Sequence, residues 1–237
     1  MSFTVILAPV KFTSQIIAAA SGSVGGCVFS RNRFGAYTRN RAIPVNPASN
    51  QQQILRSALG TLVQRWTGTL TSTQRAGWEN WAANTPQTDA LGNPYNMTGQ
   101  NAYVSMNSTR IQTSQAILDT APIIFAGAAL TPPAIVSATA STEAISVSFT
   151  NTDLWATAVG GQLYVYCGRP QNPTKLFFKG PYRFSGKISG AVTPPTSPMS
   201  ITSQFPFEVG QRVHVRFRAQ NSDGRLSTIT RASALGV

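Results

Sequence analysis

The chain has 237 residues, of which 42% are apolar and 11% are charged, so it can bury a core but must cover its surface mainly with uncharged polar side chains. Its 19 basic and 7 acidic residues give a formal net charge of +12, which attracts nucleic acid, an anionic surface or an acidic protein face. One histidine and seven scattered carboxylates argue against acid–base catalysis and a histidine-based metal site, so we expect neither an enzyme nor a bound cofactor.

Residues 1–50 are rich in glycine and arginine and are predicted to form an extended basic arm. A Gly/Ser patch at 21–26 precedes four arginines, and every charged residue before Glu79 is basic. Apolar alternation around 27–29 and 34–37 allows one short hairpin. Because the arm contains no core of its own, we expect a neighbouring subunit to hold it in a fixed shape.

Arginines and aromatic residues alternate in the arm and form its candidate contact site. The members of this site are Arg31, Arg33, Phe34, Tyr37, Arg39 and Arg41. Guanidinium groups pair with phosphates and aromatic rings stack on bases, so one interpretation is nucleic-acid binding. The interpretation that we favour is a subunit interface, because an arm threaded between subunits needs glycine for tight passage and arginine for multidentate hydrogen bonds.

Residues 51–120 are predicted to form a small domain of three helices. An apolar residue recurs every three to four positions over about 49–66, which indicates the first helix. A capping box at 71–74 starts the second helix, and Thr85–Pro86 ends it. A third helix is predicted to begin near Thr98.

Each of the first two helices is predicted to bury one apolar face. The face of the first helix consists of Ile54, Leu55, Leu59, Leu62, Val63 and Trp66. Trp78 and Trp81 lie three residues apart and share a face of the second helix. We interpret Trp66, Trp78 and Trp81 as core or interface anchors rather than as a ligand site.

After a linker at 121–130, the composition shifts to Val, Ser, Thr, Phe and Pro, and residues 131–237 are predicted to form an antiparallel β-sandwich. The strand-like runs cover 144–149, 162–166, 176–178 and 212–219. In the last run, Val213, Val215, Phe217 and Ala219 are predicted to face a core. The opposite face is predicted to be a solvated surface strip or, alternatively, a contact for an anionic neighbour or a glycan; it consists of Arg212, His214, Arg216 and Arg218.

Two parts of the chain resemble known families. The C-terminal part resembles fibronectin type III and immunoglobulin-like modules through Pro132–Pro133, residues 145–149 and residues 213–224 (VHVRFRAQNSDG). The first 115 residues resemble an uncharacterised family of phage and bacterial genomes. The motifs that carry this second likeness are SGSVGG (21–26), SRNRFG (30–35), RNR (39–41), PVNP (44–47), LTxxQRxxW (70–78) and TGQN (98–101).

The sequence therefore predicts an α+β multidomain protein: an extended basic arm, a small helical domain and a fibronectin type III or immunoglobulin-like sandwich. The coreless arm, the scarcity of catalytic groups and the two-part composition predict a structural building block of a larger assembly. The resemblance to a family of phage and bacterial genomes favours a virion component, at the neck, the tail or the capsid surface and made in the host cytoplasm. Its expected partners are copies of itself as a homo-oligomer, other virion proteins and, in one interpretation, packaged DNA. Alternative functions are nucleic-acid binding through 31–41 and carbohydrate or surface binding through the sandwich.

Two further expectations concern cysteines and membranes. Cys27 and Cys167 are far apart in sequence and show no metal-ligand spacing, so we expect reduced thiols. No apolar run approaches the roughly 20 residues that a membrane span requires, so we expect no membrane partner.

Overall fold

The structure is a computed structural model that describes residues 10–11, 22–32, 35–43, 45–46, 48–88 and 91–237. The chain divides into two compact units, Met1–Ser49 and Asn50–Val237. Helices and antiparallel strands are both present, so the predicted α+β class is confirmed.

The first unit contains a four-stranded antiparallel sheet where the sequence predicted an arm with one hairpin. Its strands are β1 (Val10–Lys11), β2 (Gly22–Val24), β3 (Cys27–Asn32) and β4 (Gly35–Asn40), in the order β1-β4-β3-β2. Gly25 and Gly26 form the turn between β2 and β3, and Gly25 has a φ of +57°. Two-residue hairpin turns require this left-handed conformation, which glycine adopts without steric cost, so the Gly/Ser patch builds a hairpin.

The second unit begins with three helices, α1 (Asn50–Gly68), α2 (Ser72–Asn84) and α3 (Gly99–Gln112). A two-stranded sheet of β5 (Gln87–Thr88) and β6 (Pro94–Tyr95) lies between α2 and α3 in sequence. The predicted capping box is present, because the Thr71 hydroxyl accepts from the Gln74 backbone N–H and the Gln74 side chain accepts from the Thr71 N–H. Thr98 caps α3 through the backbone N–H of Asn101. Sequence-local hydrogen bonds of this kind fix where helices start.

The rest of the second unit contains seven strands in two antiparallel sheets. A four-stranded sheet has the order β10-β9-β12-β13, and a three-stranded sheet has the order β11-β8-β7. The bounds are β7 (Ala134–Thr139), β8 (Ala144–Ser148), β9 (Gln162–Gly168), β10 (Tyr182–Ser189), β11 (Met199–Thr202), β12 (Arg212–Gln220) and β13 (Thr230–Leu235). A 3-10 helix (Ala140–Thr142) and a short helix α4 (Leu154–Thr157) connect strands. Residues 176–178, predicted as a strand, lie instead in the connection between β9 and β10.

Two hydrophobic clusters form the interior of the second unit. One joins the helices around Leu62, Trp78 and Tyr103. The other takes side chains from both large sheets, including Val147 of β8 and Phe217 of β12. The four apolar residues predicted to face the core from β12 are all buried there.

A buried polar link joins the helices to the four-stranded sheet. The Gln220 side chain is fully buried and donates from Nε2 to the backbone oxygens of Met106 (2.8 Å) and Gly224 (2.8 Å). Its Oε1 accepts from the Tyr164 hydroxyl at 2.7 Å. Because a buried amide is costly unless its hydrogen bonds are made, these contacts specify how α3 packs on the sheet.

Candidate functional site

The arginines of the first unit do not lie together on one face of its sheet. Arg31 pairs with Ala36, whereas Arg39 pairs with Val28 and Tyr37 pairs with Ser30. Directly paired residues point to the same face of a sheet and neighbours alternate, so Arg31 lies on the face opposite to Tyr37 and Arg39. Arg31, Arg39 and Arg41 are exposed and Tyr37 is half-buried. The other two predicted members, at positions 33 and 34, lie outside the described residues.

The three helical tryptophans lie in one cluster with Tyr103. The Trp78 ring meets the Tyr103 ring edge-on at 5.4 Å, and Trp66 lies 5.7 Å from the same ring. The indole nitrogens of Trp78 and Trp81 donate to backbone oxygens in the segment that follows α3. All three tryptophans are buried, so their rings support the helices and leave little surface for a ligand.

An ion pair closes one side of this helical cluster. Arg65 donates from Nε and Nη2 to the two carboxylate oxygens of Asp119, at 2.8 and 2.6 Å. The paired guanidinium holds the pKa of Asp119 below its usual range. The Asp119 carboxylate also accepts from the Tyr103 hydroxyl at 3.3 Å, and its backbone oxygen accepts from Trp78. Asp119 therefore fastens the chain segment after α3 to all three helices.

The predicted surface strip on β12 is not a solvated row. His214 is only 4% exposed, and Arg212, Arg216 and Arg218 are half-buried. The predicted alternation of β12 side chains between a core face and an outer face is present. Aromatic side chains from neighbouring strands and from the β9–β10 connection, however, cover the outer face. The prediction of a solvent-exposed strip was therefore wrong, because it was made from the pattern of one strand without its neighbours in the sheet.

Arg216 lies at the centre of this outer face. Its guanidinium carbon lies 4.5 Å from the centroid of the Tyr166 ring and 5.4 Å from that of the Tyr182 ring. In the sheet, Arg216 is directly opposite Tyr166 of β9 on one side and Arg231 of β13 on the other. The guanidinium is thus held by cation–π contacts next to a second positive charge.

We use the name arginine–aromatic face for the outer-face residues Tyr166, Tyr182, Phe184, Arg216, Arg218 and Arg231. Phe184 packs edge-on against Tyr166 with ring centroids 5.7 Å apart. Burial raises the pKa of both tyrosines, while the nearby arginines act in the opposite direction. Burial also lowers the pKa of Arg218, although a guanidinium remains protonated in proteins. The face therefore combines neutral rings with permanent positive charges.

His214 borders this face. Its ring stacks on Phe178 at 5.5 Å with an interplanar angle of 25°, and its Nε2 lies 3.0 Å from the Lys175 carbonyl oxygen. Burial lowers the pKa of His214; the hydrogen bond to the Lys175 carbonyl opposes this effect, whereas the charges of Arg212 and Lys175 add to it. We therefore expect a neutral His214 whose Nε2–H donates to the carbonyl.

The stability of the protein is expected to fall as the pH drops below about 6.5, the ordinary pKa of histidine. Because folding lowers the pKa of His214, the unfolded chain takes up the proton first. The contribution of His214 is fully present above the unfolded pKa and is lost as the pH falls through the folded pKa. Thermal denaturation between about pH 8 and about pH 5 measures this slope. His214→Gln, which keeps a neutral donor, should flatten it, and an equally steep slope in that variant would contradict the assignment.

A cleft of about 590 Å³ lies between the helices and the connection from β12 to β13. Trp81, Met106 and Leu226 give it apolar walls, and Thr85 and Arg218 add polar groups. The Nε of Arg218 donates to the Ser227 carbonyl at 3.2 Å. Arg218 thus connects the cleft to the arginine–aromatic face.

The β12 arginines have neighbours that were not predicted from the sequence: Tyr166, Tyr182, Phe184 and Arg231. One signal was present, since Tyr164 and Tyr166 alternate with Leu163, Val165 and Cys167 in the same way that the β12 arginines alternate with apolar residues. The order of the strands, which brings these side chains together, leaves no local pattern in a sequence.

Neither a metal-binding cluster nor a membrane-spanning helix is found among the described residues. In the part of the chain that the structure describes, no three side chains among His, Cys, Asp and Glu come together as a metal site. Of the helices described, none combines the length and the apolar character needed to cross a membrane. Comparisons with protein-family models, with curated proteins and with solved structures found no match to this chain.

Proposed function

We propose that this protein is a non-enzymatic structural component of a larger particle and assembles through its N-terminal sheet and helix α1. The observation that carries the proposal is the solvent exposure of the side chains in and around that sheet. Burial is described in this unit for residues 22–31, 35–43, 45–46 and 48–49, and none of these is buried. The apolar Val24, Ile43 and Val45 are exposed. A small sheet needs a buried apolar face for stability, so a neighbouring subunit would supply the missing surface.

Helix α1 supports the same proposal. The sequence predicted that one face of this helix is buried, but only Leu62 and Trp66 of that face are. The remaining members are exposed, from 36% to 51% of their surface: Ile54, Leu55, Leu59 and Val63. Leu55, Leu59 and Val63 follow one another at four-residue spacing and therefore form a continuous apolar stripe. Such a stripe on one side of a helix is typical of helix–helix contacts between subunits.

The proposed particle is a phage virion, with the protein at the neck, the tail or the capsid surface. The resemblance of the first 115 residues to a family of phage and bacterial genomes supports this assignment. The partners would be other copies of the chain, as a homo-oligomer, and other virion proteins. Contact between the basic N-terminal segment and packaged DNA remains a second interpretation of its positive charge.

For the C-terminal part we propose a β-sandwich of the fibronectin type III or immunoglobulin-like kind, displayed outward from the particle. The hydrophobic cluster shared by the two large sheets supports this, as does the alternation of buried and outer side chains along β12. In this proposal the N-terminal half provides assembly, and the sandwich presents a surface to the surroundings.

Removal of residues 1–49 is expected to shift the protein from a homo-oligomer to a smaller species. The remainder contains both hydrophobic clusters, so Asn50–Val237 should still fold. Native mass spectrometry and light scattering of the two purified chains measure the change. A full chain that is monomeric at micromolar concentration, and that does not enter particles when made during infection, would contradict the proposal.

A second variant tests the apolar stripe on α1 independently of the N-terminal sheet. Leu55→Gln combined with Leu59→Gln should weaken the oligomer without unfolding the protein, because both side chains are about half exposed. The control combines Val192→Gln and Val209→Gln, which also replace exposed apolar residues. An equal loss of oligomer in this control would show general surface stickiness and would oppose a role for the stripe.

A further inference from the structure

The strands that carry the arginine–aromatic face have an excess of positive charge. Strands β9, β10, β12 and β13, together with the β9–β10 connection, contain no acidic residue. Their basic residues are Arg169, Lys175, Lys179, Arg183, Lys187, Arg212, Arg216, Arg218 and Arg231. Within the described part of the chain, ion pairs form at Arg65–Asp119 and Arg225–Asp223, and neither lies on these strands.

Two of these arginines face each other directly. Arg216 and Arg231 are Cα partners across the β12–β13 ladder. Like charges in directly opposed positions destabilise an antiparallel pair, and no carboxylate of these strands offsets them. A bound anion would remove this repulsion.

Arg216 is also held in a geometry suited to an anion. Its guanidinium is fixed by Tyr166 and Tyr182, yet it donates no hydrogen bond to any other described residue, and its Nε is buried without a partner. A planar guanidinium that is fixed in advance loses little entropy when it binds phosphate in a bidentate manner. The rings therefore fix the plane of the guanidinium, and its two Nη groups, rather than the buried Nε, are the donors left for a phosphate.

An aromatic pocket adjoins the arginines. It has a volume of about 170 Å³, and its lining includes Phe177, Phe178, Tyr182, His214 and Arg231. Phe177 is 67% exposed, so its ring is open to a stacking partner. A flat aromatic ring next to an anion is the chemistry of a nucleotide, and base–aromatic stacking requires an unpaired base.

We infer that the arginine–aromatic face binds single-stranded nucleic acid, with phosphates on Arg216 and Arg231 and a base in the pocket beside Phe177. An acidic glycan fits this face less well, because its hydroxyl groups donate as well as accept, and each O–H needs an acceptor. Arginine and lysine side chains supply donors only. A phosphodiester backbone offers acceptors only and matches such a surface. This binding goes beyond the proposed assembly role and does not depend on it.

The test uses the full chain and a fluorescein-labelled oligothymidylate of about 20 nucleotides, longer than the roughly 4–16 that one small single-strand binding fold covers. Fluorescence anisotropy should show binding that weakens with salt, with a slope of log K against log salt of about −0.7 per phosphate contact. A duplex of the same length and heparin serve as competitors. Tighter binding of either competitor than of the single strand would overturn the inference.

Two variants test the residues. Arg231→Glu should weaken oligothymidylate binding about tenfold or more, because a phosphate contact is replaced by a repulsive charge. Its melting temperature should stay the same or rise, because the exposed carboxylate relieves the repulsion at Arg216. Arg216→Lys keeps the charge but loses the stacked plane, and it should also bind more weakly than the unaltered protein.

The matched control is Arg39→Gln combined with Arg41→Gln, which removes the same net charge from exposed positions of the N-terminal sheet. Because Arg39 and Arg41 belong to the alternative nucleic-acid contact at 31–41, the test is comparative: this double variant should lose clearly less affinity for oligothymidylate than Arg231→Glu does. Binding that survives Arg231→Glu and is lost in the control would place the nucleic-acid site on the N-terminal segment and would refute the inference.

Discussion

Replacing Trp78 with alanine is expected to lower the free energy of unfolding by about 3–5 kcal/mol. The Trp78 side chain is fully buried and packs edge-on against Tyr103. It also donates a hydrogen bond of 2.8 Å to the backbone oxygen of Asp119, and this acceptor would lose its partner. Denaturant unfolding followed by circular dichroism measures the loss.

Leu59→Ala is the control for this prediction. Leu59 lies on α1 in the same helical part but is 51% exposed, so its truncation should change stability by only about 0.5 kcal/mol. Similar losses for the two variants would show that Trp78 does not anchor the helical cluster. In an oligomer, the Leu59 variant should be compared at a concentration where the chain is monomeric, because Leu59 also belongs to the proposed assembly stripe.

Gly190→Ala is expected to destabilise the protein by about 3 kcal/mol or more, at or beyond the upper end of ordinary overpacking. A Cβ at this position would overlap the backbone oxygen of Trp155. That segment cannot retreat easily, because Gly190 N–H donates to Gly161 O at 2.9 Å and Ala191 N–H donates to Ala156 O at 3.0 Å. The clash therefore involves two backbones held together by their own hydrogen bonds, and differential scanning calorimetry should show a large fall in melting temperature.

The opposite outcome is expected for Gly60→Ala. Gly60 lies within α1 and a Cβ there meets no atom within 4 Å. Because alanine is the better helix former by about 1 kcal/mol, this substitution should stabilise the protein slightly. Changes in stability of opposite sign at Gly190 and Gly60 would separate the steric overlap of an added Cβ from its effect on backbone entropy. Equal effects at both positions would contradict this account of Gly190.

The helices could be predicted because their signals are local. The capping box at Thr71–Gln74 and the Thr98 cap involve residues three apart, and the observed starts of α2 and α3 follow from them. Apolar spacing also located α1. Spacing did not show which apolar residues are buried, because burial depends on where the other helices lie, and Leu55 and Leu59 remain at the surface.

The outer face of the four-stranded sheet could not be predicted because it depends on contacts distant in sequence. The alternation of β12 showed which side chains share a face, but Tyr182 lies 34 residues before Arg216, and no local pattern places them together. Strands β7, β10, β11 and β13 were also not predicted as separate strands. Edge strands such as β10, β11 and β13 have a weaker alternation of buried and exposed residues than the central β12, and a sequence pattern depends on that alternation.

The Gln220 link has a consequence for the order of events during synthesis. The partner of Gln220 on α3, Met106, leaves the ribosome 114 residues earlier. Until β12 emerges, the nascent helices lack the sheet surface against which they finally pack, and the Tyr164 hydroxyl lacks its acceptor. Closing so long a loop is slow compared with local helix formation. The second unit should therefore reach its native state only after β12 has left the ribosome, and a ribosome-bound chain truncated before residue 212 should remain sensitive to protease.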